Sequence, residues 1–364
     1  MGKKIAVAMA LLLALAAIGC TGKGDGQTDA SDSEIRKVAL LINGNLGDRS
    51  FHDSANAGMI LLRDSLGLQI RVAEVGYDSS RWEPALMDLC DDGYDVIIAG
   101  TWQMQEVVGR VAERYPNQRF IIYDTSMDYD ADAGNVYGNI FSMEYKQNEG
   151  SYLAGVLAAS MSETGVLGFV GGMDLPVIRD FLVGFIQGAK AANEDIRIVH
   201  SFIGDFSDAA KAKELALAQF QMGVDVVFSV AANAGDGTLQ AAREQNRFVI
   251  GVDSDQAMLY VDSDPVLATL VVSSVLKRID QSILTAVEYA VAGTLPWGTR
   301  MVMGIAEETV GLADNPIFQS VVPDDVRKLI DEYGEMIKDG RIEVPSAFGM
   351  DNATFARLLD SVRL

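Results

Sequence analysis

Cysteine, histidine and positive charge are all scarce in this chain, and each scarcity removes a class of chemistry. With 29 Lys and Arg against 51 Asp and Glu, the formal net charge is −22. That balance argues against nucleic acid as a partner, because binding a phosphate backbone rests on clustered cations. The only histidines are His52 and His200 and the only cysteines Cys20 and Cys90, so no histidine-rich zinc site or Cys–His dyad can be assembled. Long apolar runs are also missing after the first twenty residues, and a transmembrane helix needs roughly 20 consecutive apolar residues.

What is present begins at the amino terminus. Lys3 and Lys4 precede the apolar run Ile5–Ile18, which is short for a membrane span and ends in Gly19-Cys20. A charged n-region, an apolar core and a small residue before cysteine resemble a bacterial lipoprotein signal over 1–20. On that reading Cys20 is the lipidated first residue of the mature protein. Residues 21–35, rich in Gly, Ser, Thr and Asp, read as a flexible tether. The folded body then works at a cell membrane, facing the periplasm or the exterior. Loss of Cys20 to lipid chemistry leaves Cys90 alone, so no intramolecular disulfide forms, and Cys90 reads as a small core residue.

The body repeats itself at an offset of about 130 residues. Gly93-Tyr94-Asp95-Val96-Ile97-Ile98 leads to Phe120–Asp124, and Gly223-Val224-Asp225-Val226-Val227-Phe228 leads to Phe248–Asp253. Each half alternates β-branched runs with amphipathic segments, the pattern of βαβ units on a parallel sheet. Strands are expected at Val38–Ile42, Gln69–Val75, Asp95–Ala99, Arg119–Tyr123, Val166–Val170, Ile196–Ser201, Asp225–Ser229 and Phe248–Val252. The helices fit His52–Leu66, Glu83–Asp91, Gln103–Tyr115, Pro176–Asn193, Asp208–Met222 and Gly237–Glu244. The fold class is therefore α/β, two Rossmann-like lobes joined by hinge strands. The limits are 36–140 with part of 267–300 for the first lobe, 141–266 for the second, and 300–364 for a hinge strand and an extension packing on the lobes. Hinge strands are expected near Asn135–Phe141, Leu267–Ser273 and Arg300–Gly304.

Parallel sheets bind ligands at the carboxyl ends of their strands. Asp124 and Asp253 end corresponding strands of the two halves, so they either face one cleft from opposite sides or cap the loops that follow. Paired carboxylates also serve glycosidases, but nothing marks a nucleophile and acid pair. Asp128, Asp130 and Asp132 alternate as in a calcium loop, yet Gly134 is one place late and Asn139 stands where a Glu is needed. The glycines of Gly235-Asp236-Gly237 fit neither a dinucleotide nor a P-loop spacing. No metal or cofactor is implied.

Five motifs, in order, carry a family resemblance: Asn43 to Asp53 (NGNLGDRSFHD), Asn148 to Gly155 (NEGSYLAG), Gly171 to Pro176 (GGMDLP), Gly251 to Gln256 (GVDSDQ) and Ser274 to Asp280 (SVLKRID). Together they resemble the basic membrane protein family, lipid-anchored substrate-binding proteins of ABC importers best known for purine nucleosides. The resemblance implies a type I periplasmic-binding-protein fold, a small-molecule ligand, an ABC permease as partner, a monomer and no catalysis. It further implies that Phe51, beside Ser50, and Phe206 stack on the base, that Asp124 faces the base, and that Asp253 with Lys277 holds the ribose hydroxyls. Lys277 lies in an apolar stretch, Val271 to Ile283, read as helical. Asn43 stands where nucleoside binders usually carry Asp, Trp102 where they carry smaller side chains, and Asn233-Ala234 where they have a Gly-rich turn. These departures make riboflavin a second candidate ligand. A nucleoside hydrolase and a membrane-tethered sensor are the alternatives of another class.

Overall fold

The computed structural model describes residues 35–129 and 137–364. Cys20, the signal and the tether through residue 34 lie outside the described residues, as do Asp130, Asp132, Gly134 and Asn135. Two six-stranded sheets make up the fold. The first contains β1 (Lys37–Ile42), β2 (Gln69–Glu74), β3 (Val96–Gly100), β4 (Arg119–Tyr123), β5 (Ile140–Tyr145) and β11 (Thr299–Met303). The second contains β6 (Val166–Gly171), β7 (Arg197–Phe202), β8 (Val226–Val230), β9 (Phe248–Asp253), β10 (Val271–Lys277) and β12 (Val310–Leu312).

Read from β2 the first sheet runs β2-β1-β3-β4-β5-β11, and read from β7 the second runs β7-β6-β8-β9-β10-β12. The order is the same, so the repeat seen in the sequence is a repeat of topology. Only the last strand breaks it: β11 is parallel to β5, whereas β12 is antiparallel to β10. The inner strands are buried along their whole length, as VIIAG of β3 and VVFSV of β8 are, which is what a parallel sheet covered on both faces requires. Asp95 and Asp225 explain why an acid recurs just before these strands. The Asp95 carboxylate accepts from the Arg36 and Lys37 N–H groups at 2.7 Å, and Asp225 accepts from Ser162 Oγ and the Glu163 and Thr164 N–H groups. Each acid thus satisfies the backbone leading into the first strand of its own lobe.

In the first lobe, α1 (Phe51–Leu66), α2 (Trp82–Asp91) and α3 (Gln105–Arg114) cover the sheet. Cys90, on α2, is half-buried against this core, and burial pushes its thiol up to about 12, which leaves it unreactive. In the second lobe, α4 (Gln147–Met161), α5 (Pro176–Ala192), α6 (Ala209–Gln221), α7 (Gly235–Gln245), α8 (Gln256–Tyr260) and α9 (Pro265–Leu270) do the same. The next helix, α10 (Ile279–Val291), returns to the first lobe, where Ile283 and Asp280 lie against Gly58 of α1. After β12 the chain forms α11 (Pro316–Val321), α12 (Asp324–Lys338) and α13 (Asn352–Asp360). Phe318, Val326, Ile330, Ile337 and Phe355 of this extension join the core of the second lobe.

Helix α4 is buried nearly all round, and it meets α5 backbone to backbone. A Cβ at Gly188 would strike the carbonyl oxygen of Tyr152, so the glycine sets how closely the helices approach.

The crossings between lobes differ from the expected hinge strands. The chain passes from β5 to α4 at Tyr145–Gln147, from β10 to α10 at Lys277–Ile279, and from β11 to β12 through 304–309. A lobe boundary at 140/141 would cut β5, which belongs wholly to the first sheet. Leu267–Ser273 spans the end of α9 and the start of β10 and is no crossing, and Asn139 forms a turn before β5. Likewise Val271–Lys277 is strand, not helix. Both stretches complete their own sheets before the chain leaves, so the hinges sit at the strand ends.

Candidate functional site

The carboxyl ends of both sheets open onto one cavity of about 420 Å³. In each sheet the strand order reverses between the first and third strands, and ligands of open α/β sheets bind at such a switch point. From the first lobe the cavity receives Asn43 after β1, Trp102 after β3, Asp124 after β4 and Phe51 at the head of α1. The second lobe contributes Phe206 after β7, Asn233 after β8, Asp253 at the end of β9 and Lys277 at the end of β10. Ser50 stands behind this wall: its Oγ donates to Asp253 Oδ2 at 2.6 Å.

Local folding aims these groups. The Asp48 carboxylate accepts from the Ser50, His52 and Asp53 N–H groups, and Asp53 accepts from those of Gly47 and Arg49. Two acids therefore wrap the loop so that Phe51 opens α1, in the place where free helix N–H groups need acceptors. Across the site, Gln256 folds back on β9, its Oε1 accepting from the Val252 N–H, while its own N–H donates to Ser274 Oγ. That holds the end of β9 and with it Asp253. Asp124 and Asp253 share the left-handed backbone, with φ of 60° and 65°. This conformation is uncommon for a residue with a side chain, and its recurrence at both strand ends marks the site on each half.

Charge inside the cavity is lopsided. Asp48, Asp124, Asp205 and Asp253 face a single ammonium, Lys277, among its lining side chains. Lys277 is 2% exposed and its Nζ lies 2.7 Å from Asp124 Oδ1, so the acid it pairs with is Asp124 and not Asp253. The rings of Phe181, Tyr145 and Phe51 surround the same ammonium at 5.1, 5.5 and 5.8 Å, a cation–π environment that offsets part of its desolvation. Burial pushes the Asp253 carboxyl up to about 6, although Lys277 and the Ser50 hydroxyl pull it down. His52 is pushed down by burial, against the pull of Asp48, Asp53 and Glu74. Asn43 donates from Nδ2 to Gln103 Oε1 at 3.1 Å, which leaves its Oδ1 without a partner, as is His52 Nδ1. Two carboxylates and an ammonium amid aromatic rings suit a flat, neutral ligand bearing hydroxyls.

A family model described as "ABC transporter substrate-binding protein PnrA-like" matches residues 35–347. The chain belongs to this family. It is 29% identical to Basic membrane protein A of Borreliella burgdorferi, over 92% of this chain and 94% of that protein. It is 30% identical to a protein of Lactococcus lactis named ABC transporter nucleoside-binding protein BmpA, over 95% of this chain and all of that one. Among solved structures, the ABC transporter solute-binding protein of Aeropyrum pernix superimposes with a TM-score of 0.76 at 25% identity, covering 90% of this chain and 97% of that one. The family member described here is thus a substrate-binding protein of an ABC transporter with the two-lobed α/β fold.

Several lining residues were not anticipated. Tyr77 follows β2 as Phe206 follows β7, so both halves place an aromatic ring on the same loop. Phe181 corresponds in the same way to Phe51, and applying the repeat offset to the named residues would have found both. Asp48, Asp205 and Met173 lie in loops that both halves share, but their residue types do not recur at the matching positions, so the repeat does not single them out.

Proposed function

We propose that this family member captures a purine nucleoside between its lobes and delivers it to an ABC permease without altering it. The observation that carries this reading is the Asp124–Lys277–Asp253 group at the meeting of both sheets, ringed by Phe51, Phe206 and Trp102. Aromatic faces favour a flat heterocycle, and a carboxylate with an ammonium favours a vicinal diol. Four carboxylates against one ammonium disfavour a phosphate, so the nucleoside is preferred to its nucleotide. In this reading Asp124 faces the base and Asp253 takes the hydroxyls, with Asn43 and Asn233 reading the ring edge and Ser50 orienting Asp253.

A second reading, riboflavin, draws support from Trp102, which is 44% exposed at the cavity wall and offers a wider platform than a phenylalanine. Denaturing the purified protein and identifying the released small molecule by mass spectrometry separates the two. Calorimetry of stripped protein with inosine, guanosine, adenosine and riboflavin then tests the assignment, and binding by none of them overturns it. Free base appearing on incubation with nucleosides would favour a hydrolase instead. The lipid anchor at Cys20 belongs to the same proposal: Cys20→Ser should release the protein from the membrane fraction, and continued retention would remove the anchor.

A further inference from the structure

A second chamber of about 1010 Å³ adjoins the cavity, and Trp102, Asp124 and Val177 line both. These three side chains are the partition between the two spaces, so a group that reaches past them enters the chamber.

The far wall is a built one. It is the segment Ile342–Phe348 of the carboxyl-terminal extension, fastened by two buried side chains of the second lobe. Asp180 accepts from Ser346 Oγ at 2.7 Å and the Ala347 N–H at 2.8 Å, and Asn148 Nδ2 donates to the Val344 carbonyl at 2.9 Å. Opposite stand Val302 and Arg300 of β11 and Glu144 of β5. Large apolar groups are presented to this space from both sides: Trp102 and Val302 from the first lobe, and Phe348, 53% exposed, from the extension. Gln147, fully buried at the chamber's edge, gives its Nε2 to Asp180 and leaves Oε1 without a partner.

We propose that the site accepts nucleosides whose base carries an uncharged, apolar or aromatic substituent, and that the substituent lies in this chamber. The inference rests on the nucleoside reading, because it is the base that faces Asp124 and Trp102. Charge sets the class of substituent. Asp124, Glu144, Glu149, Asp180 and Glu343 line the chamber against only Lys146 and Arg300, which disfavours an anionic group. Exposed rings at Trp102 and Phe348 favour a flat apolar one.

The test is calorimetry of stripped protein with adenosine and guanosine beside N6-benzyladenosine, N2-benzylguanosine and 8-benzylaminoadenosine. At least one benzyl derivative should bind within tenfold of its parent. Val302→Trp, which fills the chamber from an exposed strand position, should weaken that derivative at least tenfold and its parent less than twofold. Phe348→Ala, which removes a ring without adding bulk, should weaken the same derivative selectively. If every benzyl derivative binds more than tenfold below its parent, or if both variants treat derivative and parent alike, the chamber is not a substituent site. If no nucleoside binds at all, the nucleoside reading falls and this extension falls with it.

Discussion

Ser50 and Asp253 lie 203 residues apart in the chain, one from each lobe, and are joined by a 2.6 Å hydrogen bond behind the cavity wall. Asp253 is 8% exposed and shares its surroundings with Asp48 and Asp124, so its charge is held where two other carboxylates repel it.

The first prediction concerns pH. Asp253 has a carboxyl raised from an ordinary value of 3.8 to about 6. Between those values the folded chain keeps a proton that the unfolded chain releases, so this group's contribution to stability falls as pH rises from about 4 to 6. Above that window the deficit is constant, about 2–3 kcal/mol. Asp253→Asn should therefore be more stable than the parent by about that amount at pH 7.5, and the gap should close toward pH 4. His52, pushed down by burial, acts in the opposite sense in both proteins and cancels in the difference. Urea denaturation of both across this range checks it, and a constant gap refutes it.

The second concerns the pair beside it. Lys277→Met leaves Asp124 buried without its ammonium, which should cost about 3–5 kcal/mol of stability. Combining it with Asp124→Asn removes both charges, and the double variant should be more stable than Lys277→Met alone. Strict additivity in this cycle would show that the two residues do not interact.

The third tests the packing of α4 on α5. Gly188→Ala places a methyl group against the Tyr152 carbonyl, where neither backbone can yield without moving a helix. Destabilisation of about 3 kcal/mol or more is expected, at the upper end for overpacking. A melting temperature within a degree of the parent's would contradict the geometry.

The fourth concerns the carboxyl-terminal segment. Asp180 accepts hydrogen bonds from Gln147, Ser346 and Ala347, so Asp180→Ala removes one of the segment's two side-chain anchors and leaves the Asn148 bond to the Val344 carbonyl. Limited proteolysis should then cut within 341–350 faster than in the parent while the lobes stay intact. Equal cleavage rates would mean that Asn148 and the apolar contacts hold the segment without Asp180.

Much of this fold is legible in the sequence because both halves write it twice. The Asp95 and Asp225 motifs precede short β-branched runs, and both acids take the same structural part. The stretch Val271–Lys277 misled for a physical reason: VVSSVLK is apolar without a clear period, and a short run of that kind fits a buried strand or a buried helix equally. Helix α4 has no periodic signal in the sequence, because a helix buried on every side has no polar face to reveal its turn. Motif and strand-end position point to Asn43, Phe51, Trp102, Asp124, Phe206, Asn233, Asp253 and Lys277, which line the cavity. Tyr77 sits in a polar loop, where only the repeat points to it. The second chamber had no signature, since its walls are drawn from residues between Trp102 and Phe348 that meet only in the folded chain.

The three crossings form a single spine. The Lys146 N–H donates to the Met303 carbonyl at 2.8 Å, the Arg278 N–H to the Thr309 carbonyl at 2.8 Å, and the Thr309 N–H to the Gly304 carbonyl at 3.2 Å. Glu149 of α4 adds a bond from the Ile305 N–H at 2.9 Å. Segments tied in this way cannot bend separately. A rotation of one sheet against the other has to be taken up by all three at once, about one shared axis, as a book turns on its binding. Shear and twist would break these bonds, and a swing about the axis keeps them. The distance between Asp124 and Asp253 then becomes a function of one angle, so anything that grips both acids fixes the angle between the two sheets.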